Sequence, residues 1–409
     1  MDATTSTLDT PGVRSDEGRL VVDLLDPELY REDPHDVWSW MRAHEPVYRD
    51  HRNGLWGVTR HADLMDVERR STVFLSGQGY RALWSPEEIN MIAQDDPRHR
   101  QQRMLVQPTF TKKSVEQRQR EVDDLTREVI DAALADGAGE MEVVDALSGQ
   151  VPARLTARLL GYPEERWADL KSWSERLMRT DMRERDGQVF RDFVAANQEF
   201  VEALGEVAAA KYAEPGDDLI STWIHGRIGG EPLPPAAIAH EVGLFISGGA
   251  ETTRTAISHG LRAFVDHPEQ WDAMADDPGL VRGAVEEVLR WVTPLNNMFR
   301  RVGADDRIGD QPVRRGDRVV LLYPSANRDE AVFEDPFRFD IRRSPNSHVA
   351  FGFGTHLCIG THVARSTLAS VFGQLSSRIT DLDAVTEPEV EANIFARAVV
   401  SFRLGFRRR

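Results

Sequence analysis

Along most of the chain apolar residues return at intervals of three and four, the period of an amphipathic helix. The stretches VWSWMRAHEP, EQRQREVDDLTREVIDAALADG and VPARLTARLLGYPEERWADLKSWSERLM all carry this pattern. Strand-like pieces are few and short: PVYRD with GLWGVTR near the N-terminus, and DRVVLLYP later. No internal repeat or low-complexity linker divides the sequence. The pattern predicts a mainly α protein with a minor β region. It places a short, polar arm over residues 1–18, expected to be mobile, before one large domain over 19–409.

The longest helix candidate starts at Pro234-Pro235 and runs to His267, before Pro268. Proline suits a first helical turn and, just beyond the last one, stops a helix. Such a helix would span about 50 Å at roughly 1.5 Å per residue. Its middle, ISGGAETTRT, places Gly248 and Gly249 where each costs about 1 kcal/mol relative to alanine. Something must offset that cost.

Composition narrows the chemistry. A single cysteine, Cys358, excludes an internal disulfide framework, a multi-cysteine zinc site and an iron–sulfur cluster held by this chain's own thiolates. It suits a reducing compartment, so a cytoplasmic location is expected. The formal net charge of −17 argues against nucleic acid and anionic membrane surfaces as partners. No apolar run reaches the roughly 18 residues needed to span a bilayer. The opening MDATTSTLDTPGVRSDEG lacks the basic-then-apolar order of a secretion signal.

Cys358 stands in FGFGTHLCIG, two residues after His356. The following IGTHVARSTLASVFGQLSSRI is amphipathic, so the sulfur lies at a helix N-terminus, where dipole and free N–H groups favour thiolate. Gly352, Gly354 and Gly360 allow a tight turn and close approach to a flat ligand. A thiolate in such a loop suits an axial iron ligand. A small buried hydrophobe and a Cys–His nucleophile pair with His356 remain as alternatives at this point.

FGFGTHLCIG matches the haem-binding signature of the cytochrome P-450 family at every specified position, and four further segments resemble that family. GGAETT, 248–253, is similar to its oxygen-activation stretch. The resemblance implies that Gly248 and Gly249 give a haem room, that Thr252 acts on the oxygen side and that Glu251 relays protons. A local widening of the helix there would be a functional bulge. AVEEVLRW resembles the Glu-x-x-Arg helix, with Glu287 and Arg290 on one face and Glu286 beside them. DPFRFD adds Arg338 as third member of that structural network. DDPRHRQQRMLV resembles the segment whose His99 and Arg103 hold haem propionates. NNMFRRVGADD offers Arg301 with Asp306 or Arg300 with Asp305 for the other propionate; Arg301 is preferred, and His356 is a further propionate candidate.

The family resemblance implies a single triangular fold, with haem b between the long central helix and the Cys358 loop, where Phe351, Gly352 and Gly360 line the cofactor. It implies a monooxygenase that hydroxylates a hydrophobic small molecule with O2. Electrons would come from a separate ferredoxin or flavodoxin and its reductase, docked at Arg98, Arg100, Arg103, Lys112 and Lys113. Family position assigns the substrate pocket to Leu83, Trp84, Leu244, Phe245, Leu295, Asn297, Met298, Ile394 and Phe395, beside Tyr80 and Ile89. TPLNNMFRR and PNSHVAFGFGTHLCIG look most like actinobacterial steroid side-chain hydroxylases. A steroid or terpenoid skeleton is expected, with a secondary-metabolite intermediate as an equal fit. The alternatives are a peroxide-driven peroxygenase, against which an intact Glu251-Thr252 pair speaks, and a non-enzymatic haem sensor or carrier.

Overall fold

The computed structural model describes residues 10–16, 19–31, 34–83, 86–135, 137–179 and 187–409. Helices dominate, as the periodicity predicts. The elements that build the site are α1 (His61–Arg69), α2 (Arg98–Val106), α3 (Gln119–Ala133), α4 (Gln150–Leu160), α5 (Trp167–Met178), α6 (Pro235–Asp266), α7 (Val281–Val292) and α8 (Thr361–Ser376). Five strands form the principal sheet: β1 (Val47–Asp50), β2 (Leu55–Val58), β3 (Phe74–Leu75), β4 (Asn297–Val302) and β5 (Arg318–Leu322). Their order is β1-β2-β5-β4-β3, with β2 and β5 parallel and the other pairs antiparallel.

Of the arm expected over 1–18, residues 1–9 and 17–18 lie outside the described residues. The remainder is not free chain: Val13–Asp16 pairs antiparallel with Arg19–Val22. A hairpin satisfies backbone groups that a polar composition alone does not reveal as paired.

The central helix α6 runs for 32 residues, with Pro235 in its first turn and its end just before His267-Pro268. Most of its C-terminal half is buried, polar residues included, because neighbouring helices pack around it. Ile257, Leu261 and Phe264 share one core with Val285 and Val288 of α7 and with Leu368 and Phe372 of α8. The Phe264 ring meets Phe372 and Phe339 edge-on, at centroid distances of 5.7 and 5.4 Å. Its N-terminal half instead packs Ile238, Val242 and Ile246 into a second core with Trp173 and Trp223. The two glycines fall near the junction of these cores. Among the described residues no helix is long and apolar enough to cross a membrane.

Candidate functional site

The cysteine loop is held by backbone geometry. Gly352 and Gly354 have φ of +68° and +69°, which side-chain-bearing residues rarely adopt. A Cβ on Gly354 would also come within 2.5 Å of the Glu68 carbonyl on α1. The Cys358 N–H donates to the Phe351 carbonyl at 2.9 Å, closing the turn before α8 begins. Cys358 is accessible from the space in front of it, although protein crowds the sulfur from behind. Burial pushes the thiol up; the Gly360 N–H and the charges of Arg103 and Arg365 oppose this without overcoming it. A cation facing the sulfur would favour the thiolate against this burial.

The central helix supplies an open wall. A Cβ built on Gly248 would meet nothing within 4 Å, whereas one on Gly249 would lie 2.8 Å from Thr156 Oγ1 of α4. The expectation that both glycines make room for a cofactor is corrected: Gly248 faces space, and Gly249 allows α4 to pack. The Thr252 hydroxyl donates to the Gly248 carbonyl at 2.9 Å. The helix stays continuous there, without the widening that its glycines suggested. Glu251 is buried and pairs with Arg254 at 2.6 Å. Arg254 also bonds Glu175 of α5, which Lys171 holds from the far side at 2.9 Å. Burial pushes the Glu251 carboxyl up, and the Arg254 charge only partly offsets this.

A cluster of imidazole and guanidinium donors lies beside the cysteine loop. The His99 ring, buried on α2, lies 4.2 Å from that of His356 between centroids and 3.3 Å from an Asp96 oxygen. Burial, reinforced by Arg300, His99 and Arg103, drives the His356 pKa down to about 2. Desolvation also lowers Arg103, whose side chain has no hydrogen-bond or ion-pair partner among the described residues. Arg103 is thus drawn inward, away from the exposed Arg98, Arg100, Lys112 and Lys113 of the expected docking face. Arg300, not Arg301, joins this cluster. Side chains alternate along β4, and Arg300 reaches Glu68 at 3.3 Å on the α1 side. The preference for Arg301 is therefore corrected. Burial raises the Glu68 carboxyl despite Arg300, and the Tyr323 hydroxyl donates to it at 2.7 Å.

The Glu287–Arg290 pair of α7 is wholly buried, with two charge-assisted hydrogen bonds of 2.8 and 2.7 Å. The third member of the network is Arg343, 3.3 Å from Glu287, and not Arg338. The Arg338 side chain is 69% exposed; only its carbonyl takes part, accepting from Arg290 at 3.1 Å. The chain turns after Phe339, so a residue five positions later returns to α7. The neighbouring Glu286 does something different. Burial would raise it, but His348 and Arg365 together hold its carboxyl down to about 2. Arg365 then lies over the Phe351 ring at 4.7 Å, bracing the cysteine loop.

The expected substrate residues divide. Leu295, Met298 and Phe395 gather with Tyr80, Ile92 and Met178 in one apolar cluster. Phe245 instead stacks near Phe110 and Trp223, with centroids at 5.5 and 5.2 Å, and Leu244 packs in the same core. Ile394 is buried in the core around Trp38, on the other side of the sheet, and Asn297 donates its amide to the Ile394 carbonyl at 2.8 Å. Asn297 Oδ1 is buried without a hydrogen-bond partner among the described residues. Trp84 lies outside the described residues. Sequence reasoning missed Glu68, Tyr323, Arg254 and Arg343. A polar residue in the apolar run DRVVLLYP was a usable signal for Tyr323 only.

An open glycine wall, an accessible sulfur in a glycine-framed loop, and a row of donors along one edge that includes the partnerless Arg103 fit a flat iron chelate bearing carboxylates. The comparisons with known proteins agree with this chemistry. The family model described as Cytochrome P450 matches residues 159–378. A steroid C26-monooxygenase of Mycobacterium tuberculosis is 37% identical over 374 residues, covering 90% of this chain and 92% of that protein. A linalool 8-monooxygenase of Pseudomonas putida is 32% identical over 382 residues, covering 87% and 92%. Among solved structures, a Mycobacterium marinum cytochrome P450 in complex with pseudoionone superposes with a TM-score of 0.87 at 31% identity, covering 94% of this chain and 98% of that one.

Proposed function

This chain belongs to the cytochrome P450 family and is a haem-thiolate monooxygenase; from that premise we propose that it hydroxylates a steroid- or terpenoid-like lipophile with electrons from a separate ferredoxin. When bound, haem held by the Cys358 thiolate supplies reductive activation of O2, one oxygen atom entering the substrate and the other leaving as water. The residues of the chain decide where protons and substrate go. Thr252, bonded to the Gly248 carbonyl at the open wall, presents a hydroxyl toward that space. Glu251 stands one residue away in the buried network that Arg254, Glu175 and Lys171 extend toward solvent. A carboxyl held there with a raised pKa is suited to pass protons inward.

The observation that carries the substrate reading is the apolar cluster of Tyr80, Leu295, Met298 and Phe395. It offers shape and area and few polar groups, the lining that a rigid hydrocarbon skeleton requires. Relatives named for steroid and linalool oxidation support the same class. The ferredoxin reading rests on the surface beside Cys358. There Arg98, Arg100, Lys112 and Lys113 surround exposed Met104 and Leu357, a basic rim around an apolar centre on an acidic protein.

A panel of steroids, terpenes and lipophilic acids, read by the Soret shift and then by product mass, tests the reading. Steroid- or terpene-like members should shift the spectrum and gain one oxygen atom with ferredoxin, reductase and NAD(P)H. Equal turnover with hydrogen peroxide alone would replace the ferredoxin reading with a peroxygenase.

A further inference from the structure

We propose that the cavity between residues 78–83 and one face of the principal sheet binds an oxyanion, and that in the working enzyme this is the anionic head of an amphipathic substrate. The second half of the statement rests on the lipophile reading above; the first does not. The cavity holds about 250 Å³ and is lined by Gln78, Arg81, Leu83, Arg300, Arg301 and Arg318, among others. Arg301 and Arg318 sit directly opposite each other across β4 and β5. Alternation puts them on the face that carries Phe299 and Val320, opposite the one from which Arg300 reaches Glu68. Arg300 also borders the cavity, so it is the Arg301 and Arg318 side chains, not the whole cavity wall, that the sheet sets apart from the donor cluster at His99, Arg103 and His356.

Charge balance distinguishes these two arginines from their neighbours. Arg81 is neutralised by Glu88 at 2.5 Å, and Arg300 by Glu68. The Arg301 side chain has no hydrogen-bond or ion-pair partner among the described residues. Arg318 donates to the Ala82 carbonyl at 2.5 Å and lies over the Phe299 ring at 5.3 Å, with no carboxylate partner among the described residues. Like charges directly opposite in a sheet repel, and burial together with Arg301 lowers the Arg318 pKa. Among the described residues no carboxylate pairs with either arginine. An oxyanion between the two forks would remove the repulsion and use their planar donors bidentately.

The placement relates the cavity to the substrate. The segment that lines it with Arg81 and Leu83 also turns Tyr80 inward, onto Met298 and Phe395. A molecule with an apolar body and a carboxylate, sulfate or phosphate at one end could therefore lie across this segment.

The test uses the holoenzyme in two arms, with an intact haem spectrum as the folding check for each variant. In the first, thermal unfolding is compared in sulfate and in chloride at equal ionic strength, for wild type, Arg301→Gln and Arg318→Gln. Sulfate should raise the midpoint of wild type more than that of either variant. In the second, a steroid carboxylic acid and its methyl ester are titrated by the Soret shift. The acid should bind roughly 10- to 100-fold more tightly, the contribution of one or two charge-assisted bonds. Arg301→Gln should abolish that ratio and Arg301→Lys should retain most of it. Sulfate stabilisation with no preference for the acid would leave a site for free inorganic anions and overturn the substrate link. Sulfate stabilisation with neither lipophile binding would sink the lipophile reading and leave the anion site standing. Absence of both effects overturns the proposal.

Discussion

Two clusters bury positive charge near the cysteine loop, and they treat it in opposite ways. Around Glu287, every charge has an answer. Arg290 and Arg343 reach the carboxylate, Asn346 and the Asp340 N–H donate to it, and Arg290 gives its remaining donors to carbonyls at 327, 336 and 338. Around His99, Arg103 and His356, donors outnumber acceptors, and burial lowers the pKa of all three. A closed network is a structural joint, because a buried charge is tolerated only when it is paired. An open one keeps donors that an anion from outside can use. The difference separates residues that hold the fold from residues that hold a ligand, although an arginine on a helix, Arg290 or Arg103, stands in each.

Opening the closed network should have the largest effect. Glu287→Ala leaves two buried guanidiniums without a carboxylate, and urea unfolding should show a loss of about 3–5 kcal/mol. Next comes Arg103→Ala, which removes a donor that the chain itself does not use. Haem transfer to apomyoglobin should accelerate roughly 10- to 100-fold, the contribution of one charge-assisted bond, while the haem-free chain keeps its stability. A destabilised haem-free chain would erase the distinction between the two clusters.

Glu241 is an intermediate case, a buried carboxyl on α6 bonded by the Met91 N–H and little else, and burial pushes its pKa up to about 8. Its folded form keeps a proton that the unfolded chain releases near pH 4.5, so stability falls as pH rises between those values. The slope should be roughly 1 kcal/mol per pH unit at most. Glu241→Gln should flatten it in unfolding measured from about pH 5 to 8. The smallest effect is expected at Arg338. Arg338→Ala should change stability by less than about 0.5 kcal/mol, whereas Arg343→Ala should cost about 1–3 kcal/mol by unpairing part of the Glu287 carboxylate. Equal losses at the two arginines would restore the assignment that the sequence suggested.

Legibility followed the range of the determining interactions. The long helix could be bounded from sequence because its signals, Pro235 and Pro268, act on adjacent backbone. The cysteine loop was readable because its glycines, histidine and sulfur lie within ten consecutive residues. The substrate lining was only half readable. Leu295 and Phe395 come together across a sequence separation that local pattern does not encode, through a bridge pairing Leu295 with Ala396. Ile394, one residue away from Phe395, points into a different core.

By itself the sequence determined the chemistry and the class of fold. One thiol in a glycine-framed turn, a helix opened at Gly248 and the Glu287–Arg290 spacing are local facts, and local geometry is sufficient to read them. The tertiary structure alone decided between similar residues: Arg300 over Arg301 beside the cysteine loop, Arg343 over Arg338 at Glu287, Gly248 over Gly249 at the open wall. Each choice depends on which side of a strand or helix faces the site, or on where a loop returns. A shift of one position along a strand reverses the face, and composition and spacing change little between neighbours. Packing supplies that last bit of information, because only one of the two faces has a partner for the charge or room for the ligand.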